Sequence, residues 1–250
     1  MILARITKAL KDQNWLAVAI EFVIVIAGVV IGFQVTGWNA DRAERVIIAQ
    51  QLREVREDIA ADIVALDITR EASLWRLAAA EYILTGLDDS DRLPGMLLVF
   101  DIPVDRELLP EVSPNDHPTL LARVNLVRGI TGQRTGYESL INGGNLRLIE
   151  DRDLRAAIQR YYAGYADLES NLGIFREIRA HAIPVLYRHG FSLFSEQDLA
   201  TVLEAGRADP EFIAYLRTGA ELAVAQIGIT VQRQAEARAL LDHINAELAP

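Results

Sequence analysis

Residues 15–38 read WLAVAIEFVIVIAGVVIGFQVTGW, and only Glu21 among them carries a formal charge. A helix rises about 1.5 Å per residue, so these 24 residues reach about 36 Å. That exceeds the roughly 30 Å hydrocarbon core of a bilayer and predicts one tilted transmembrane helix. Trp15 and Trp38 stand at its two ends, where amphipathic rings favour the headgroup layer, and are the expected interface anchors. The apolar run is longer than a signal-peptide core, and it ends in Thr36-Gly37-Trp38-Asn39 rather than a small-x-small cleavage site. The reading is therefore an uncleaved anchor.

Working outward, residues 1–14 place Ile2, Leu3, Ile6, Ala9 and Leu10 at helical spacing among Arg5, Lys8, Lys11 and Asp12. A short amphipathic helix on the membrane surface and a frayed start of the spanning helix both fit. Arg5, Lys8 and Lys11 precede the span, while Arg42 and Arg45 follow it among acids. The positive-inside rule then puts the N-terminus in the cytoplasm and the remainder in the periplasm of a bacterial inner membrane.

Inside the span, 100° per residue brings Glu21, Gly28, Gly32 and Asn39 close to one line, with Thr36 about 60° away. Gly28-Val-Val-Ile-Gly32 is a small-xxx-small pattern that lets a second helix approach closely. Glu21 on the same stripe favours a protein-facing surface, since ionisable groups in a span avoid lipid. It lies six residues from Trp15, about 9 Å deep, so its carboxylate could also reach the interface.

The chain has 250 residues and a formal charge of −10. Residues 1–40 sum to +1, leaving residues 41–250 at −11. Such acidity argues against nucleic acid, whose binding rests on phosphate neutralisation, and against broad docking on anionic lipid. There is no cysteine, which excludes disulfides, thiolate catalysis and Cys-ligated zinc.

From Asn39 to about Leu87 the pattern is one long amphipathic helix. Ile48, Leu52, Val55, Ile59, Ile63 and Leu66 recur at spacings of 4, 3, 4, 4 and 3, and Leu74, Leu77 and Leu84 extend the stripe. Gly86 and the acidic run at 88–91 end it. Residues 88–118, rich in proline, predict an irregular insert, with Met96–Phe100 a short apolar run and Asp116-His117 in a turn. A second helix is expected over Thr119–Ile141, weakened by Gly129, Gly132 and Gly136, and a turn at Asn142–Asn145. The clearest helix starts at Asp151, where Leu154, Ile158, Tyr161, Tyr165, Leu168, Leu172 and Phe175 alternate 4 and 3. Pro184 is expected to kink or end it. The tyrosines read as core, and His181 and His189, eight apart, do not match the i, i+4 metal pair. Ser195 or Asp198 is expected to cap a short helix through Ala205, and Asp209-Pro210 to open a terminal helix, irregular near Gly219 and Gly228.

Two segments resemble a family of bacterial single-span membrane proteins classed as a domain of unknown function. The first runs from Ile26 to Arg45 and matches at Val30-Ile31-Gly32, Gln34 and Trp38-Asn39, with Glu21 ahead of them. The second is Tyr137–Ile149 (YESLINGGNLRLI), followed by Asp153-Leu154-Arg155 and Tyr161-Tyr162. Gly143 stands where a Ser is common in that family. The matches cover about a quarter of the chain. The resemblance implies the single-span topology and brings no reaction with it.

The expected fold is mainly α. It comprises a short N-terminal segment (1–14), a transmembrane helix (15–38) and an acidic helical-bundle domain (39–250) with an irregular insert at about 88–118. No Gly-x-Ser-x-Gly, His-Glu-x-x-His or dinucleotide glycine fingerprint occurs, so no catalytic residue, cofactor or metal site is expected. The function expected is that of an accessory or scaffold subunit touching lipid and other membrane subunits or further copies of itself. A periplasmic ligand-binding or sensor-like module is the alternative.

Overall fold

A computed structural model describes residues 15–89, 104–130 and 132–249, with the side chains of 15–18, 166–167, 169–172 and 174–175 outside that description. The N-terminal segment 1–14 and the run Met96–Phe100 lie outside the described residues, as do the side chains of Trp15, Leu172 and Phe175. Every regular element described is helical: α1 (Trp15–Thr85), α2 (Leu120–Asn125), α3 (Thr135–Asn142), α4 (Arg152–Arg188), α5 (Leu199–Ala208) and α6 (Pro210–Glu247). Short 3-10 turns at Arg106–Leu108, Pro114–Thr119 and Asn145–Leu148 link them. The chain divides into two compact units, 1–50 and 51–250.

In the first unit, α1 is a single helix with no proline and with every side chain from Ala19 to Ile47 exposed. Beta-branched Val and Ile dominate this part, which water would not hold as an isolated helix on propensity alone.

In the second unit, α1 buries one stripe. Leu52, Val55, Ile59, Leu66, Leu77 and Leu84 are buried as the spacing predicts. Between Ile59 and Leu66 the inward position is Asp62, 1% exposed, and Ile63 is only half-buried. The buried series Leu52, Val55, Ile59, Asp62, Leu66, Thr69, Ser73, Arg76 alternates 3 and 4 without a break. Thr69 and Ser73 satisfy their hydroxyls on the carbonyls of Ala65 and Thr69, four residues back.

The main apolar core is built where the last turns of α1 meet α2, α5 and α6. Leu77, Ile83, Leu84, Leu120, Leu121, Phe212, Leu216 and Val224 are among its members. Helix α6 is buried on all sides from Ala223 to Thr230, as a central helix must be, and it runs unbroken through Gly219 and Gly228. Leu154, Ile158, Tyr161, Tyr165 and Leu168 of α4 are buried, and α4 packs along α6.

Carboxylates cap the helices. Asp151 accepts from the amides of Asp153 and Leu154, Asp198 from Thr201, and Asp209 from Glu211, with Pro210 in the first turn of α6. Two of them also hold a histidine: His243 Nε2 lies 2.8 Å from Asp151, and His189 Nε2 lies 2.9 Å from Asp209.

Three sequence expectations need correction. Pro184 does not end α4, which continues to Arg188. Proline forfeits the single bond to the carbonyl four residues back, and here that loss falls in the final turns. The expected helix over Thr119–Ile141 is two short helices, α2 and α3, separated by residues that are non-helical where described. Asp62 and Asp58 take up amides there: Gln133 in the link donates to Asp62 at 2.6 Å, and Gly136 in the first turn of α3, where an amide has no helical partner, donates to Asp58 at 2.7 Å. The insert is not wholly irregular, since Pro114–Thr119 forms a 3-10 turn closed by a Ser113/Asp116 capping box.

Gly136 is required for close approach. A Cβ there would lie 2.5 Å from the backbone carbon of Glu54 and 2.6 Å from the amide nitrogen of Val55. Backbone cannot move aside as a flexible side chain can. Gly136→Ala is expected to cost about 1–3 kcal/mol, an ordinary overpacking penalty, read as a lower urea midpoint at unchanged m-value.

Candidate functional site

The residues singled out in the span lie on one helix, in the first unit. Glu21, Gly28, Gly32, Thr36, Trp38 and Asn39 are all exposed. A Cβ added at Gly28 or Gly32 meets nothing within 4 Å, so the glycine groove is open. The Thr36 hydroxyl donates to the Gly32 carbonyl at 2.9 Å. That internal bond is the arrangement an apolar surrounding demands of a hydroxyl. Around this stripe, twelve large apolar side chains from Ile20 to Trp38 are exposed, Phe22 at 65% and Phe33 at 74%.

The second unit contains a polar centre that sequence reasoning missed. Asp62 is its anion. The hydroxyls of Tyr161 and Tyr165 each donate to Asp62 Oδ2 at 2.9 Å, and the Gln133 amide donates to Oδ1 at 2.6 Å. The rings of the two tyrosines then separate Asp62 from a buried cation. Arg233, 5% exposed, lies 4.4 Å from the centroid of each ring. It donates to the Tyr161 carbonyl at 2.8 Å and pairs with Glu236. Gly164 makes the room, because a Cβ there would stand 2.7 Å from a terminal guanidinium nitrogen of Arg233. The layered order is carboxylate, two phenols, guanidinium; hydrogen bonds and aromatic faces hold both charges, and the Arg233 Nε–H is buried without a partner among the described residues.

Burial sets the protonation behaviour of this centre. Desolvation raises the Asp62 carboxyl above its usual range, and the amide and phenol donors pull it back only in part. Asp58 is raised in the same way, with the Gly136 and Tyr137 amides opposing. Desolvation also pushes the phenols of Tyr161, Tyr162 and Tyr165 upward, so all three stay neutral at physiological pH. Tyr162 stacks on Tyr137 at 4.0 Å between centroids, and its hydroxyl is buried without a partner among the described residues.

A groove of about 670 Å³ opens between α4 and α6 above Tyr161 and Arg233. Arg160, Leu168, Gln232, Leu240 and His243 complete its walls. Its size lies within the range of small-molecule sites. Glu236 pairs with Arg233 there, and His243 Nε2 lies 2.8 Å from Asp151. Among the described residues no three His, Asp or Glu side chains gather as a metal site would require. The sequence signal for Asp62 was present: the strict 3-4 alternation from Leu52 points it inward. No periodicity marks Arg233, since α6 is buried on every side in the turns before it.

No family model matches the chain, and no curated protein or solved structure matches it.

Proposed function

We propose that this chain is a single-pass, membrane-anchored helical interaction protein, an accessory or scaffold subunit of a bacterial inner-membrane complex. Residues 15–38 cross the bilayer, residues 1–14 face the cytoplasm, and the acidic helical unit works in the periplasm. The observation that carries this reading is the uninterrupted exposure of every side chain from Ala19 to Ile47, most of them apolar. Lipid or another hydrophobic helix must cover such a surface. The resemblance to single-span proteins at Glu21, Val30-Ile31-Gly32 and Trp38-Asn39 points the same way.

The contact face is Glu21, Gly28, Gly32, Thr36 and Asn39, used against a partner subunit or a second copy of the chain. Van der Waals contact across glycine is the main force between helices in lipid. Gly28→Leu with Gly32→Leu fills the open groove with two isobutyl groups. The double variant is expected to lower the detergent-corrected particle mass by light scattering, or to lose the partner subunit on gentle extraction and mass spectrometry. A wild-type particle that is monomeric and carries no other protein would remove the interaction part of the proposal.

A ligand-binding module is a second reading, favoured by one observation: the groove over Tyr161 and Arg233. Its test is a thermal-shift screen of small metabolites, with Arg233→Ala as control, since a ligand that binds only the folded state raises Tm.

A further inference from the structure

Arg76 is the most deeply buried cation in the described chain, 3% exposed. Its hydrogen bonds among the described residues go to neutral acceptors: the Gln226 side-chain oxygen at 2.9 Å and the Val124 carbonyl at 3.4 Å. Arg179, from α4, faces the same space, and its Nε–H is sealed from solvent without a partner among the described residues. A cavity of about 20 Å³ lies between them. Asn125 and Tyr215 form its far wall, with Thr218 and the α6 backbone at Gly219 beside them.

The wall offers neutral acceptors only, among the described residues: the Val124 carbonyl and the Tyr215 and Thr218 oxygens. The Asn125 amide spends one hydrogen on the Leu121 carbonyl at 2.9 Å and keeps the other, while its oxygen already accepts the Tyr215 hydroxyl. The Thr218 hydroxyl is committed to the Ala214 carbonyl at 2.9 Å. No Asp or Glu lines the cavity. Two guanidinium groups therefore share one small space with no counter-charge among the described residues. Unpaired buried charge is costly, and helices as short as α2 offset little of it through their dipole. Desolvation, and then the like charge of Arg179, pull the Arg76 guanidinium down to about 10.

We infer that this cavity binds a monatomic halide, chloride in the cell, held by Arg76, Arg179 and the free amide hydrogen of Asn125. The volume decides the class of anion. It matches about one water-sized site, which suits a halide better than a tetrahedral oxyanion or a carboxylate with its attached carbon. The anion would tie α1, α2, α4 and α6 together within the second unit.

The test uses the full-length chain in detergent, with thermal unfolding followed at constant ionic strength as gluconate is replaced by chloride. A saturable rise in Tm is expected. At chloride ten times its Kd, the folded-to-unfolded ratio should increase about tenfold. Arg179 is half-buried, so Arg179→Gln should fold and lose that saturable rise, while Arg160→Gln, on the α4–α6 groove, should keep it. Line broadening of the ³⁵Cl resonance by the wild-type protein, absent with Arg179→Gln, provides a readout that does not depend on stability. A Tm that follows ionic strength whatever the anion would overturn the inference. So would a saturable response to acetate or phosphate, or a chloride response that survives in Arg179→Gln.

Discussion

A chain that starts at Gln51 is expected to leave the membrane fraction completely, while the full chain stays in the pellet through an alkaline carbonate wash. The first unit supplies the reason. Twelve large apolar side chains between Ile20 and Trp38 are exposed, and burying such a side chain yields about 1.5–3 kcal/mol. Even at half that yield the transfer amounts to something on the order of 10 kcal/mol, enough to make partition all-or-none. The backbone adds no opposing cost, because α1 pairs its own amides and carbonyls. Glu21 opposes by about 3 kcal/mol at most, and less if its carboxylate reaches the headgroups.

The second unit is expected to survive the cut. Its core of Leu77, Leu84, Leu120, Phe212 and Leu216 lies entirely beyond residue 51. The new helix end at Gln51 loses a turn of hydrogen bonding worth about 1 kcal/mol, as a missing cap does. Circular dichroism of the soluble fragment should show a helical, cooperatively melting protein. Intact-mass measurement of the full chain from membranes separates anchor from signal sequence: a mature chain lacking residues 1–38 would end the anchor reading. Wash-off of the full-length chain would end it equally.

Helix existence was legible because this chain states it in long, regular apolar stripes. Leu52, Val55, Ile59 and Leu66 in α1, and Leu154, Ile158, Tyr161, Tyr165 and Leu168 in α4, are buried as their spacing requires. What could not be read was where polar groups replace apolar ones inside those stripes. Asp62 was passed over in favour of Ile63, since a carboxylate gives no hydrophobic signal, and its partners lie 71, 99 and 103 residues away. The break between α2 and α3 was invisible for the same reason. Three glycines hinted at weakness, but the acceptors that take up amides at the break are a pair of acids on another helix. Likewise Pro184 was over-weighted, because its effect depends on how many turns of helix remain.

Asp62→Ala is expected to be the most damaging single substitution in the second unit. It strips the acceptor from three donors at once: the Tyr161 and Tyr165 hydroxyls and the Gln133 amide. Each buried orphan costs about 1–3 kcal/mol, so the two buried hydroxyls give a total of about 2–6 kcal/mol, a large part of the stability of a domain this size. Water cannot make good the loss, since Tyr161 and Tyr165 are each 3% exposed. The Gln133 segment, released from its anchor, should also exchange its amides faster, which hydrogen exchange would register locally. Asp62→Asn keeps the shape and one acceptor oxygen, and the two hydroxyls can rearrange around the new amide because they already lie 3.2 Å apart. Its cost should be smaller, about 1–3 kcal/mol.

The pair of variants also reveals the charge. Burial raises the Asp62 carboxyl in the folded chain above its value of 3.8 in the unfolded chain. The folded state therefore holds the proton more tightly, and stability linked to Asp62 is present below pH 3.8 and lost as pH rises through the folded pKa. Asp58 and Glu81 are raised by burial too. Asp116, Asp151 and Asp209 are lowered by their hydrogen bonds, so their contributions are instead lost as pH falls. These five act in both proteins and largely cancel in a difference. Wild-type stability minus that of Asp62→Asn should thus grow as pH is lowered between pH 7 and 4, over the range in which the folded Asp62 carboxyl takes up its proton, measured by urea unfolding of the 51–250 fragment. A difference that stays flat, or shrinks, across that interval would mean that Asp62 is not a buried, ionised acceptor, and the layered centre of carboxylate, phenols and guanidinium would have to be abandoned.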